Sequence, residues 1–143
     1  MNTIGSLEKV AFPDLGIDKV WAKIDTGAYS GALHCTNIRV VGTKLFKGRR
    51  VLYFWPLGKK ELASETTRFI ERYARSASGH RVKRYIITTS IYIAGDLHEI
   101  NIGLSDRSRM KRPVLIGRKF LRDKGLLVDA RINQDHDHEK EYI

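Results

Sequence analysis

A single cysteine, Cys35, occurs among the 143 residues of this sequence, and long apolar runs are missing. One cysteine cannot form a disulfide within the chain, and zinc sites built from four cysteines or from cysteine and histidine pairs are excluded with it. No stretch approaches the ~20 apolar residues that a membrane-spanning helix requires. The first dozen residues also lack the basic start and apolar stretch of a secretory signal. We therefore expect a cytoplasmic protein without a membrane segment, in which Cys35 is a small buried apolar residue.

Two widespread catalytic motifs are absent as well. The sequence has no Gly-x-x-x-x-Gly-Lys-Ser/Thr loop, which would cradle the phosphates of a nucleotide, and no His-Glu-x-x-His motif, which would hold zinc on a helix. His34, His80 and His98 stand alone, and the other two histidines lie in the acidic stretch 135–143. The sequence therefore predicts neither a metal nor a cofactor.

Positive charge is in clear excess, because 26 Lys and Arg face 16 Asp and Glu for a formal net charge of +10. Residues 135–143 hold four carboxylates and one lysine, which leaves +13 on residues 1–134. This balance favours an acidic partner, either nucleic acid, an anionic surface or an acidic peptide, although a solvated surface explains it equally well. The cations form two main groups: Arg68, Arg72, Arg75, Arg81, Lys83 and Arg84, and Arg107, Arg109, Lys111, Arg112, Arg118, Lys119, Arg122 and Lys124.

Short β-rich runs separated by turn residues dominate the chain, a pattern typical of strands. The predicted strands cover residues 7–12, 17–24, 36–41, 51–55, 66–73, 82–93, 97–104, 114–116 and 126–129. One helix is predicted at residues 118–124, with Gly125 as its C-terminal cap. The expected fold is mainly β with one short C-terminal α-helix. We expect a single domain over residues 1–132, followed by a disordered acidic and histidine-containing tail over residues 133–143.

One strand runs directly into a carboxylate. Val20, Ala22 and Ile24 alternate with polar or aromatic residues, and the strand then meets Asp25-Thr26-Gly27-Ala28. Glycine permits a backbone conformation closed to other residues, and the threonine hydroxyl can bond locally to the backbone. Such a turn would hold an acid rigidly at a strand end, although Asp-Thr-Gly alone also forms ordinary turns.

Seven spaced blocks of sequence carry a resemblance. They are Pro13-Asp14-Leu15-Gly16, Ala22-Lys23-Ile24-Asp25-Thr26-Gly27-Ala28, Ala32-Leu33-His34, Ser78-Gly79-His80, Arg84-Tyr85-Ile86, Arg107 with Met110, and Pro113-Val114-Leu115-Ile116-Gly117-Arg118. With these blocks the chain resembles, over about residues 7–130, the retropepsin-like aspartic peptidases that accompany ATP-grasp amino-acid ligases, a family also labelled ATP-dependent zinc protease. The resemblance implies a closed retropepsin-like β-barrel, aspartic endopeptidase activity and a functional link to an ATP-grasp ligase.

The resemblance also implies roles for individual residues. Asp25 would be the catalytic acid–base residue, and Thr26 and Gly27 would shape its loop. The hairpin around residues 74–82 stands where retropepsins have the flap that closes over substrate. Substrate contacts are implied for Ala28, Ser78, Gly79, His80 and Arg84.

Aspartic peptide hydrolysis needs two carboxylates about 3 Å apart, one ionised and one protonated. The sequence contains one Asp-Thr-Gly and no second Asp-Thr/Ser-Gly. A peptidase of this kind would therefore be a symmetric homodimer in which each subunit supplies one Asp25. The basic hairpin favours an acidic substrate, such as a glutamate-rich peptide.

Alternatives remain open at this point. The same barrel could be a non-catalytic basic module that binds nucleic acid or an acidic protein, or a metal-dependent peptidase. The sequence also departs from viral retropepsins, in which an aspartate four positions after the catalytic one pairs with the arginine of the Gly-Arg segment. Here that position is Tyr29, so Arg118 needs another partner, and His34 is either a core histidine or a substrate contact.

Overall fold

A computed structural model describes residues 2–42, 49–75 and 77–134 of the chain. Within these residues the chain forms eleven strands and one α-helix. The elements are β1 (Thr3–Ile4), β2 (Leu7–Phe12), β3 (Ile17–Asp25), β4 (Ala32–Val41), β5 (Val51–Pro56), β6 (Ser64–Thr66), β7 (Phe69–Arg75), β8 (Arg81–Ile93), β9 (Asp96–Ser105), β10 (Val114–Gly117), α1 (Arg118–Asp123) and β11 (Leu127–Val128).

Six of the strands close into a barrel. Their order is β10, β3, β2, β8, β9 and β4, and β4 returns to pair with β10. β10 lies parallel to β3, with Gly117 opposite Asp25, and antiparallel to β4, with Leu115 opposite Ala32. Because β10 is hydrogen-bonded on both sides, the sheet has no open edge at this point. The predicted retropepsin-like closed barrel with one short helix is confirmed.

The barrel interior is filled by alternate residues along each strand, as the period of two requires. Ile87, Ile91 and Ile93 of β8 are buried, and β9 contributes Ile100 and its inward neighbours to the same core. Cys35 is also fully buried there, as expected, and burial raises the pKa of its thiol to about 12. The other large core side chains include Phe12, Leu33, Leu52, Phe54, Ile102, Val114 and Ile116.

Several boundaries differ from those that the sequence predicts. β4 begins at Ala32, four residues before the predicted start, because Ala32 and Leu33 pair with both β9 and β10. The predicted strand 66–73 is two strands, β6 and β7, which pair with different partners. β9 and β10 lie far from β4 in the chain, so local pattern does not reveal the start of β4.

The two ends of the described chain come together. β1 pairs in parallel with β11, and the N–H of Leu7 donates a hydrogen bond to the carbonyl of Asn133. The helix ends at Asp123, followed by Gly125 at φ +65°, a left-handed conformation that suits glycine. Residues 135–143, most of the predicted tail, lie outside the described residues. In the part of the chain that is described, no helix has the length and apolar character needed to span a membrane.

Candidate active site

Asp25 is the last residue of β3, and a tight turn fixes its carboxylate. The N–H of Gly27 donates a hydrogen bond to Oδ1 of Asp25 at 2.9 Å, and the N–H of Ala28 donates to the Asp25 carbonyl at 3.2 Å. The side chain therefore accepts a backbone hydrogen bond two residues ahead, as in an Asx turn. Asp25 as a whole is partly exposed. The turn brings Asp25, Thr26, Gly27 and Ala28 together in one loop.

The loop after Asp25 rests on the start of α1. The N–H of Arg118 donates to the Ala28 carbonyl at 2.8 Å, and the N–H of Lys119 donates to the Tyr29 carbonyl at 3.0 Å. The first N–H groups of a helix have no partner within the helix. Here two of them bind the loop that follows Asp25, so the same hydrogen bonds complete the helix end and fix the loop.

Two glycines allow this loop, residues 25–31, to approach β10 closely. A Cβ atom on Gly117 would lie 2.6 Å from the Tyr29 carbonyl oxygen, and one on Gly31 would lie 2.6 Å from the Leu115 carbonyl oxygen. Both obstacles are backbone atoms, which cannot rotate away. The close packing of the loop therefore requires glycine at positions 31 and 117.

Arg118 finds two partners in place of an acidic residue at position 29. Its Nη1 donates to the Gly27 carbonyl at 3.1 Å, and its guanidinium lies 5.4 Å from the ring centre of Tyr29. A guanidinium within about 6 Å of an aromatic ring is attracted by the negative face of the ring. Sequence reasoning left Arg118 without a partner, although an aromatic residue at this position was a usable signal.

His34 supports a neighbouring loop. The N–H of Arg107 donates to its Nδ1 at 2.8 Å, and the N–H of His34 donates to the Pro113 carbonyl at 2.7 Å. An Asp106 oxygen lies 3.8 Å from the same Nδ1, but the two atoms do not form an ion pair because Nδ1 is already a hydrogen-bond acceptor. Nε of Arg107 donates to the Arg112 carbonyl at 3.1 Å, and burial lowers the pKa of Arg107. His34 therefore orders residues 106–113 and is a hydrogen-bonded structural histidine.

The predicted flap, residues 74–82, belongs to the outer end of the hairpin of β7 and β8, and this hairpin is here called the arm. β8 pairs with β9 only as far as Tyr85, so residues 81–84 are paired only with β7. The predicted substrate residues Ser78, Gly79 and His80 are exposed at its tip, and Arg84 lies on β8 opposite Arg72. These residues belong to a different element from the loop that holds Asp25.

The described residues contain no group of three or more His, Cys, Asp or Glu side chains close enough to bind a metal ion. The chemistry available at the Asp25 loop is therefore that of one carboxylate, fixed on one side by a backbone N–H. Hydrolysis of a peptide bond by carboxylates requires two of them, one ionised and one protonated.

Three comparisons bear on this arrangement. The family model for RimB-like proteins, described as retropepsin-like aspartic endopeptidase RimB, matches residues 3–136. The crystal structure of a protein of unknown function from Legionella pneumophila is similar, with a TM-score of 0.69 and 26% sequence identity, over 94% of this chain and 97% of that chain.

Relatives with curated names are longer proteins. Two proteins named probable alpha-L-glutamate ligase, from Shewanella pealeana and Shewanella halifaxensis, are 31% identical over 129 residues and 30% identical over 148 residues. The matches cover 87% and 98% of this chain. The chain spans only 28% and 32% of the length of these relatives.

Proposed function

This chain belongs to the RimB-like family of retropepsin-like aspartic endopeptidases, and we propose that it hydrolyses peptide bonds with Asp25 as the catalytic acid–base residue. One observation carries the proposal: a carboxylate at the end of a barrel strand, with one oxygen held by the Gly27 N–H at 2.9 Å. In this assignment Thr26, Gly27 and Ala28 shape the loop and border the substrate. The close contacts of Gly117 and Arg118 keep that loop in place.

The proposed catalytic unit is a homodimer with one Asp25 from each subunit on the two-fold axis. Two carboxylates about 3 Å apart share one proton, because both cannot be ionised at that distance. The ionised carboxylate accepts a proton from the attacking water, and the protonated one donates its proton to the scissile carbonyl oxygen. Collapse of the tetrahedral intermediate then breaks the C–N bond, and the leaving amine takes up a proton.

The arm is proposed to close over bound substrate, with Ser78, Gly79 and His80 at its tip. It carries Arg72, Arg75, Arg81, Lys83 and Arg84. A cleft lined by such residues raises the local concentration of negatively charged peptides and binds their carboxylates. The proposed substrate is therefore an acidic peptide.

The named relatives suggest which acidic peptide to test. Proteins named probable alpha-L-glutamate ligase contain a segment similar to this chain within a polypeptide about three times as long. We therefore propose a glutamate-rich peptide as substrate and an ATP-grasp glutamate ligase as functional partner. Cytoplasmic location would fit such a pairing.

The test is cleavage of glutamate-rich and neutral peptides by the wild type, by Asp25→Asn and by Asp18→Asn, followed by mass spectrometry. Asp18 is an exposed carboxylate near the start of β3 and serves as the matched control. We expect Asp25→Asn to lose activity by about 100-fold or more, since that is the usual contribution of a general acid–base group, while Asp18→Asn remains active. Full activity of Asp25→Asn would refute the catalytic assignment, and equal cleavage of neutral peptides at several salt concentrations would refute the acidic substrate.

The shared proton predicts a characteristic pH dependence. A pair of coupled carboxylates gives a bell-shaped rate profile, because activity requires one group ionised and the other protonated. The dimer also predicts that specific activity falls on dilution below the dissociation constant. A sigmoidal profile and activity independent of protein concentration would contradict the paired arrangement.

A further inference from the structure

The arm carries four arginines in two facing pairs. Arg72 lies directly opposite Arg84, and Arg75 lies directly opposite Arg81. All four side chains are exposed. Because successive residues of a strand point to opposite faces, the first pair lies on one face of the arm and the second pair on the other. Positive charge therefore occupies both faces of the same two-stranded ribbon.

This register is unfavourable for the free protein. Like charges directly opposite each other in an antiparallel pair are destabilising. Among the described residues, no carboxylate forms an ion pair with Arg72, Arg75 or Arg84. Glu71, the single carboxylate of β7, is already engaged by Arg50 and by Lys83 at 3.8 Å. The repulsion within the arm is thus not relieved by the described part of the protein, and a bound polyanion would relieve it.

The four side chains can bind phosphate as well as carboxylate. All four are arginines, whose planar guanidinium groups bind phosphate oxygens through two parallel hydrogen bonds. The two pairs are three residues apart along the strands, which corresponds to about 10 Å. Double-stranded DNA presents a charge every ~1.7 Å along its axis, so a distance of about 10 Å spans several phosphates.

The shape of the arm fits nucleic acid better than it fits an acidic peptide. A two-stranded β-ribbon fits into the major groove of B-form DNA, where phosphates flank it on both sides. An extended peptide that lies against one face of the arm would use one arginine pair, whereas a groove would use both. Tyr73, 56% exposed, adds an aromatic ring whose centre lies 4.4 Å from the Arg81 guanidinium. Aromatic rings beside arginine provide stacking surfaces for bases.

We propose that the arm binds the phosphodiester backbone of nucleic acid through Arg72, Arg75, Arg81 and Arg84. Because these arginines are also those proposed to bind the acidic peptide substrate, nucleic acid and peptide compete for the arm, and binding itself does not require hydrolysis at Asp25. The site is set by charge and shape, and no base-specific contact is assigned to it.

The experiment measures binding by the full chain with the Asp25→Asn substitution, so its outcome does not depend on peptidase activity. Fluorescence anisotropy is recorded with a labelled RNA hairpin, a single-stranded RNA, a DNA duplex and a glutamate-rich peptide, between about 50 and 200 mM salt, the range over which phosphate contacts weaken strongly. We expect at least one nucleic acid to bind with a steep salt dependence, and its identity distinguishes RNA from DNA. Tighter binding of the acidic peptide than of every nucleic acid would overturn the proposal.

A matched pair of double variants locates the site. Arg72→Gln with Arg84→Gln removes one facing pair, and we expect the salt slope to fall by about two, or one for each lost phosphate contact. Affinity should fall about tenfold or more at the lower salt concentration. The control, Arg68→Gln with Arg131→Gln, removes two arginines that are already paired with Glu99 and Asp129. Thermal unfolding checks that both variants remain folded, and an equal loss of binding in the two would show that only net charge matters and would overturn the site.

Discussion

The loop that holds Asp25 and the arm differ in what holds them in place. Three hydrogen bonds from Arg118 and Lys119 reach the loop carbonyls, and glycines at positions 31 and 117 bring the backbone segments into contact. In the outer part of the arm, residues 81–84 pair only with β7, and this pairing places arginine opposite arginine. A group that must hold a proton at a fixed position needs the first kind of construction. A segment that must admit a ligand and then close over it needs the second.

The first prediction uses hydrogen exchange to measure how loosely the arm is held relative to the barrel. We expect the amides of residues 81–84 to exchange about a hundredfold faster or more than those of residues 87–93, because local opening costs least where few packed contacts oppose it. Cys35 gives an independent report on the barrel, since its buried thiol has a pKa of about 12 and reacts only when the barrel opens. If Cys35 were alkylated as fast as the amide protons of the arm exchange, the barrel would open as readily as the arm, which would contradict the prediction.

The second prediction concerns the close packing of the loop. Gly117 has φ −89°, a conformation that alanine also adopts, so only lack of space opposes Gly117→Ala. We expect it to lower the free energy of unfolding by about 1–3 kcal/mol, the usual cost of overpacking, and to reduce peptidase activity strongly. The control is Gly103→Ala, where an added Cβ would lie 3.4 Å from the Gly31 carbonyl oxygen. Equal effects of the two substitutions in chemical denaturation would show that the loop is not tightly held.

The third prediction tests the contact of Tyr29 with Arg118. Tyr29→Leu removes the aromatic face and should reduce kcat with little change in KM, because the loop is held less firmly but the substrate contacts remain. The expected loss of transition-state stabilisation is about 0.5–1 kcal/mol, which is the strength of an exposed cation–π pair. Tyr29→Phe keeps the ring and should retain wild-type kcat. If both variants lose kcat equally, the ring is not what holds the loop.

The smallest expected effect lies away from both regions, at Asp129. Hydrogen bonds from Arg131 lower the pKa of the Asp129 carboxyl to about 2. Since an unfolded aspartate has a pKa near 3.9, this group stabilises the fold at pH values above about 4. Its contribution disappears as the pH falls from about 4 to about 2. Between these values the melting temperature of Asp129→Asn should fall less than that of the wild type, whereas Asp18→Asn should follow the wild type.

The same two regions show what the sequence could and could not reveal. Strand β9 agrees closely with the predicted strand 97–104, because alternation of apolar residues is a local signal. The early start of β4 and the two-residue pairing of β1 with β11 depend on distant partners and left no local pattern. Residues 25–28 lie together because they are consecutive in the chain. The contact of Arg118 with Tyr29 joins distant residues and could be seen only in the folded structure. The facing arginine pairs follow from the hairpin register, which composition alone does not specify.

The central claim is that Asp25 supplies half of a catalytic pair and that a second copy of the chain supplies the other half. The most direct measurement is a crystal structure of the protein that gives the distance between the Asp25 carboxylates of two subunits. The account predicts a two-fold dimer in which these carboxylates lie within hydrogen-bond distance, about 3 Å. A monomer, or a dimer with the two Asp25 side chains on separate surfaces, would contradict it.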